Sequence, residues 1–524
     1  MKIRSIAVAT AALATTLPCG MAFALPPHAV FTEDFIVRIA GSTIHDNYFA
    51  EYLKKICVAN SIDSYKDNDV TGKGTYWKAF SCQLDSKKVS GLGVVNPNFL
   101  ILKRNRSGAI TGVLPLLEPS KPIKFMGINN NPLVGGSAEA QCSETPVGSH
   151  SWLCHTDRVG DLLDATPDLG VGDVDPYGFN GPNYTPTIDG VTFAEPTSGQ
   201  VLNTLMVRNS GGIIQNVPVS LGLRNALQDA QIQQGKLDAD CLGNETERCM
   251  PNLSKGLIAS LFLGKIAKWS DVKVTHTGAN GTVSEPLTSF GAALADQKVY
   301  LCRRNKGASM QVAFNAYFLD TPCSGKGSIP PESPGNPLSG PVILTPTQVT
   351  TTEQCLDDLD RGANAGGNNP GLAQAWVISM LTTERNANLA LNYRYIKIDG
   401  YAPTLEEVAA GHYLYYSGAT YHWRKVAPMP TGAKLRMIQV LSANANAPDI
   451  LATINAKVDQ PWNPGPEGAF IAESVQGYAV SHPFDPANPV TPYTHAPKGK
   501  TVSMCRIPQV DTKDPVNLVN TTDL

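Results

Sequence analysis

The sequence predicts an α/β fold of at least two domains or lobes, and three observations carry that prediction. Strand-like and helix-like apolar periods alternate along the chain. At 524 residues the chain exceeds what one hydrophobic core serves. Small-residue turns recur at widely separated strand ends, and such turns converge only if the sheets face a common cleft. Hydrophobic residues make up 42% and charged residues 17%, which describes a globular chain with a charge-poor surface. A net charge of -3 gives no sign of the basic surface that nucleic-acid binding uses.

The first 24 residues read as a secretory signal. Lys2 and Arg4 supply the charge, Ile6 to Leu17 the apolar segment, and Ala22-Phe23-Ala24 the small-residue cleavage site. Cys19 offers a rival reading as a lipid-attachment site, which Pro18 opposes. No later segment has the roughly 20 apolar residues of a membrane span. Cleavage after Ala24 leaves ten of the 11 cysteines, an even number that suggests disulfides in an exported chain. Cys142/Cys154 and Cys241/Cys249 are close enough to staple local loops. Cys57/Cys82 and Cys302/Cys323 are the next candidate pairs, with Cys355 and Cys505 left over. No tight cysteine or histidine cluster argues for a metal.

Asp34 to Ala40 reads as the first strand and runs into Gly41-Ser42-Thr43. Tyr48, Phe49, Tyr52, Leu53 and Ile56 then follow helical spacing. Ser42 or Thr43 serves either as an ordinary helix cap or as a hydroxyl donor to a bound oxyanion. Thr71-Gly72-Lys73-Gly74-Thr75 precedes a short helix candidate from Tyr76 to Cys82, but the full phosphate-loop motif is absent. Val89 to Leu117 reads as a hairpin around Asn105–Gly108, and Glu118 to Pro167 as a long stapled excursion suited to partner contacts. Pro167 to Asp175 reads as a strand entering an acidic turn, where Asp173 can accept a hydrogen bond. Val201–Val207 and Gly212–Val219 read as strands, Leu253–Leu263 as a helix ended by Gly264, and Cys323–Pro346 as loop. Gly371–Leu381 reads as a helix running into a strand, Tyr393–Ile398 as a strand and Leu405–Ala410 as a short helix. Tyr413–Tyr416 reads as a further strand and Leu435–Leu451 as a helix.

The stretch from Lys298 to Leu319 organises the rest. The run Val299–Cys302 ends in Arg303 and Arg304, a turn Asn305–Ser309 follows, and then a helix. A strand, a tight polar turn and a helix N-terminus together make an anion site, because free amides and the positive end of the helix dipole point at the turn. Arg303 or Arg304 adds a planar bidentate donor.

These stretches resemble the periplasmic phosphate-binding proteins of the type II two-lobed solute-binding superfamily. The resemblance rests on Ala40-Gly41-Ser42-Thr43-Ile44, the Gly172-Asp173 turn, LFLGKIAKWSDV from Leu261 to Val272, and the Arg303–Ser309 turn with its helix. YRYIKIDGYAPTLEEVAAGHYLYY from Tyr393 to Tyr416 is similar to the family's return segment. The resemblance implies a two-lobed type II periplasmic-binding-protein fold with a cleft between lobes. Lobe one would span 25–200 with an insertion at about 85–167, and lobe two 201–391. A return segment and Pro/Gly-rich extension would fill 392–524.

It further implies extracytoplasmic binding of phosphate or a related small oxyanion for uptake with an ABC permease. The place would be the periplasm or the cell surface. Thr43 and the Ile44 amide would bind from the first helix, and Asp173 would accept the proton of hydrogen phosphate. Arg303 would pair with the anion, and Ser309 with the Gly307 and Ala308 amides would bind from lobe two. Thr75 is the candidate from a second turn of lobe one. The family turn is close to R-x-D-G-S-G-T, and here Asn305, Gly307 and Ser309 replace its aspartate, serine and threonine. A dehydrated dianion needs nearly every oxygen bonded, since each missing partner costs about 1–3 kcal/mol. These replacements therefore leave room for another oxyanion or a larger phosphorylated solute. The alternative is a secreted or surface scaffold that retains the fold and uses the 118–167 insertion to meet a protein. No catalytic motif, cofactor loop or metal set appears, so the expected role is binding rather than catalysis.

Overall fold

The computed structural model describes residues 31–68, 76–128, 142–158, 160–292, 294, 296–331, 340–458, 460–461, 468–496 and 501–510. The signal segment, Cys19 and Thr75 lie outside them. No helix among the described residues is long and apolar enough to cross a membrane.

Two sheets dominate. The larger has twelve strands, and its middle is built from Ile36–Gly41 lying parallel to both Asn98–Arg104 and Leu169–Gly172. Ile36, Val37, Ile39 and Ala40 are all buried, the near-continuous apolar run expected of a parallel strand covered on both faces. Tyr416–Arg424 and Leu205–Asn216 extend the sheet antiparallel on one side. The smaller sheet has five strands. Its Tyr300–Cys302 lies parallel to both Val342–Leu344 and Val377–Ser379, and Val219–Ser220 and Tyr393–Arg394 continue it. The architecture is thus two-lobed α/β, with parallel strands of each sheet ending at a shared cleft.

The helices follow from their apolar stripes. Asp46–Ile56 buries Tyr48, Phe49, Tyr52, Leu53 and Ile56 on one side, against Tyr421 and Met437 among others. Full burial of side chains of this size is worth about 1.5–3 kcal/mol each. Ser309–Leu319 is buried nearly all round, and Phe314 packs against Phe262 at 4.1 Å and Phe318 at 4.5 Å between ring centres. Val349–Arg361 covers the smaller sheet and ends at Gly362 in the left-handed region.

Several local expectations change. Tyr76–Cys82, expected as a helix, is the strand Trp77–Gln83, because the segment fills the slot between Asp63–Asp67 and Asn98–Arg104. The hairpin expected around Asn105–Gly108 is replaced by this pairing of Trp77–Gln83 with Asn98–Arg104. The chain after Arg104 turns into a 3-10 helix, Ala109–Gly112, and the short helix Leu114–Leu117. The two strands expected across 201–219 are one, Leu205–Asn216, with a register shift between Asn209 and Gly212. Residues 435–451 form two helices, Gly432–Asn444 and Pro448–Asn455, because Pro448 starts the second.

Among the described residues there are five disulfides. Cys57–Cys82, Cys142–Cys154 and Cys241–Cys249 match the short spacings. The expected Cys302/Cys323 pair does not form. Cys302 bonds Cys355 in the helix over its strand, and Cys323 bonds Cys505 in the C-terminal segment.

Candidate ligand-binding site

The carboxyl ends of parallel strands from both sheets meet at a cavity of about 250 Å³. From the larger sheet, Ile36–Gly41 delivers Ser42 and Thr43, Asn98–Arg104 delivers Asn105, and Leu169–Gly172 delivers Asp173. From the smaller sheet, Tyr300–Cys302 delivers Arg304 and Ser309, and Val342–Leu344 delivers Thr347 and Gln348. Ligands collect at this edge of α/β sheets because the helices that follow present their N-termini there. Three such N-termini border the cavity: Thr43 leading into Asp46–Ile56, Ser309–Leu319, and Val349–Arg361. The first amides of each helix have no acceptor within it.

Gly41 sets the first turn. Its φ is +128°, and a Cβ there would stand 1.9 Å from the Val171 carbonyl oxygen. That carbonyl accepts from the Ser42 amide at 2.9 Å, so the turn is fixed by its neighbour strand. Thr43 faces the cavity and is exposed. The Ile44 amide donates to Ser42 Oγ at 3.3 Å, the ordinary cap that the sequence also allowed.

Asp173 and Arg304 face this space from opposite sheets. Burial pushes the Asp173 carboxyl up, while the Ser309 and Ser42 hydroxyls and the Arg304 charge oppose that rise. Burial brings the Arg304 guanidinium down to about 10, with Asp173 again opposing. Arg304 is held by Nη1 donating to Thr352 Oγ1 at 3.3 Å. Its Nε is buried without a hydrogen-bond partner, and the Ser309 and Ser42 hydroxyls stand beside the Asp173 carboxyl. Unmade bonds of this kind are expensive in a dry interior and point to a ligand that completes them.

Arg304, rather than the expected Arg303, borders this cavity. Arg303 turns to a neighbouring cavity, where its Nη1 donates to the Pro331 carbonyl at 2.6 Å. Strand alternation explains the choice: Cys302 and Arg304 share one face, and that face carries the Val349–Arg361 helix with Cys355 and Thr352. Two expected amides also turn elsewhere. The Gly307 amide donates to the Asn183 carbonyl at 3.0 Å, and the Ala308 amide to the Asn305 carbonyl at 3.2 Å. Ser309, Ala308, Thr43, Ile44 and Asp173 do border the cavity, whereas Gly307 does not.

Sequence reasoning missed a second set of charges. Asp46 Oδ2 accepts from Lys78 Nζ at 2.7 Å and from Asn105 Nδ2 at 2.8 Å. Behind them Lys103 is fully buried and donates to the Gly41 and Arg104 carbonyls at 3.3 and 3.2 Å. Burial lowers its ammonium to about 8 despite Asp46. On the opposite wall Arg385 pairs with Glu353, its Nε at 3.1 Å, and Glu384 presents a carboxylate. His45, the histidine nearest the first turn, stacks edge-on against Tyr421 and is pushed by burial to about 3. A histidine held neutral in this way is a packing group.

No protein-family model and no curated protein matches the chain. Among solved structures, it is similar to a putative phosphate ABC transporter substrate-binding protein with bound phosphate from Clostridium perfringens. The identity is 11% and the TM-score 0.36, over 80% of this chain and 97% of that one. An ABC-type phosphate transport receptor from Vibrio cholerae matches at 8% identity and TM-score 0.35, over the same shares.

Proposed function

We propose that the protein binds a phosphate-class oxyanion in this cavity, outside the cytoplasm, and delivers it to a membrane permease. The observation that carries the reading is the facing of buried Arg304 and Asp173 across helix N-termini from both sheets, with Arg304 Nε unsatisfied. Arg304 and the amides supply donors for anionic oxygens. Asp173 supplies one acceptor, which suits an anion that still carries a proton and repels one that carries none. Capture, closure and release would then follow from the two-lobed build.

Calorimetry on the oxidised, ligand-free protein tests this with orthophosphate, arsenate and sulfate. Micromolar heats with orthophosphate and arsenate, and none with sulfate, are expected. Arg304→Ala should weaken binding at least 100-fold, and Arg303→Ala by less than fivefold. Absence of heat and of thermal shift with every anion would overturn the reading.

A scaffold role is the second reading. The hairpin of Cys142–Glu144 and Ser151–Cys154 adds to the edge of the larger sheet, and Val147 at its tip is 90% exposed. An edge strand with an apolar tip is a surface that a protein partner can extend.

A further inference from the structure

One disulfide differs from the other four among the described residues in two ways. The first is exposure. Cys57, Cys82, Cys142, Cys154, Cys241, Cys249, Cys302 and Cys355 are all buried, none more than 5% exposed. In the Cys323–Cys505 bond, Cys505 is exposed and Cys323 half-buried. Both line a cavity of about 330 Å³ on the far side of the Ser309–Leu319 helix from the anion cavity. The second is span. The other four bonds close within the elements around one sheet, whereas Cys323–Cys505 joins the two lobes across 182 residues.

Each end of this bond is held in its own lobe. Cys323 follows the Ser309–Leu319 helix of the smaller sheet, and its loop folds back on that helix, the Thr321 amide donating to the Asn315 carbonyl at 3.1 Å and the Ser328 amide to the Leu319 carbonyl at 2.8 Å. Cys505 belongs to a C-terminal segment fixed to the larger sheet. There Gln509–Val510 pairs with Tyr493–Thr494, and the His495 ring nitrogens lie 2.8 Å from the Arg506 carbonyl and 3.1 Å from that of Tyr416, in the Tyr416–Arg424 strand. The helix that presents Ser309 to the anion cavity is therefore strapped at its other end to the opposite lobe.

We infer that Cys323–Cys505 is a site of thiol–disulfide exchange with a dithiol reductant, and that its state sets how far the two lobes can separate. An attacking thiolate must reach a sulfur, which a buried disulfide allows only after local opening and this one allows in the folded protein. The thiolate attacks the Cys505 sulfur, forms a mixed disulfide and expels the Cys323 sulfur as thiolate. The donor's second thiol then attacks the mixed disulfide. Cys323 and Cys505 end as thiols, the donor ends as a disulfide, and two electrons and two protons pass to the protein. Lys255 and Arg506 line the cavity with Asp320, so cations outnumber the carboxylate where the thiolate leaves, which favours its departure.

The test holds the oxidised, full-length mature protein in limiting dithiothreitol without denaturant or added anion, so its outcome does not depend on the oxyanion reading. Free thiols are trapped with N-ethylmaleimide and located by peptide mass spectrometry. Cys323 and Cys505 should be labelled at least tenfold faster than any of the other eight cysteines. The trapped protein, with this one bond open, should show a larger radius of gyration in small-angle scattering than the oxidised protein. Amides in the last turn of Ser309–Leu319 should exchange hydrogen at least tenfold faster. A Cys323→Ser/Cys505→Ser variant should reproduce both changes, and since the trapped protein needs no refolding, a variant that does not fold leaves the test intact. If another pair is reduced first or at the same rate, the inference is overturned. If this pair is reduced first but radius and exchange stay those of the oxidised protein, the bond has no hold on the lobes, and the inference is again overturned.

Discussion

Arg304 and Asp173 are both buried at the cavity, and in the proposed oxyanion site they would divide the work between a donor fork and a single acceptor. Their rigidity depends on less conspicuous residues. Gly41→Ala would press a Cβ against the Val171 carbonyl at a φ closed to other residues. We expect at least about 3 kcal/mol of lost stability in urea denaturation, since strain of about 1–3 kcal/mol adds to the clash. Anion affinity should fall with it, because Ser42 and Thr43 move. Glu473 makes a separate prediction. Burial raises its carboxyl to about 8, against hydrogen bonds from Thr494 and Asn209. A folded value above the unfolded one contributes stability that is complete below the ordinary 4.5 and is lost as pH rises through about 8. Glu473→Gln should therefore flatten the fall in melting temperature between pH 5 and pH 9. An unchanged pH profile in the variant would contradict it.

At the scale of elements, the Val349–Arg361 helix meets the site in three ways. It contributes its own N-terminus, carries Thr352 to Arg304, and is fastened to the arginine's strand through Cys302–Cys355. The 53-residue separation of that pair corresponds to roughly 4 kcal/mol on the chain-entropy estimate. A Cys302→Ser/Cys355→Ser double variant should lose a sizeable part of that in denaturation and weaken anion binding at least tenfold. A destabilised but fully binding-competent variant would show that the bond does not position Arg304. The helix Asp46–Ile56 was legible from its period, and the Leu169–Gly172 strand from the run entering the acidic turn at Asp173. Trp77–Gln83 was not, because its mixture of large and small residues suits either period and only its two neighbouring strands decide.

At the scale of the molecule, the two sheets are tied by bonds beside the cavity. The Ile110 amide donates to the Gly307 carbonyl at 3.0 Å, and Gly108 leaves no room there, since a Cβ would lie 2.7 Å from that oxygen. A buried amide chain continues the contact: Gln311 Nε2 donates to Asn315 Oδ1 at 2.8 Å, and Asn315 Nδ2 to Asn183 Oδ1 at 2.7 Å. Asn315→Ala should cost about 1–3 kcal/mol by leaving Asn183 and Gln311 unpaired. It should also favour an opened cleft, visible as a larger radius of gyration in small-angle scattering without anion. No change in either quantity would show that this chain of amides does not hold the cleft.

Composition, period and turn chemistry by themselves determined that the chain is α/β and exceeds one core, and they marked Gly41–Thr43, Asp173 and the Arg303–Ser309 turn as separate polar turns, which only the family resemblance joined into one expected site. Those features are local: a strand, a turn and a helix start are written in consecutive residues. The tertiary structure decided which of two adjacent arginines faces the cavity, because the direction depends on the helix fastened to Cys302 from 53 residues away. It also decided that Gly307 and Ala308 spend their amides on carbonyls, and that Asp46, Lys78, Asn105 and Glu384 share the walls. Direction and company of this kind come from long-range packing, which residue spacing does not encode.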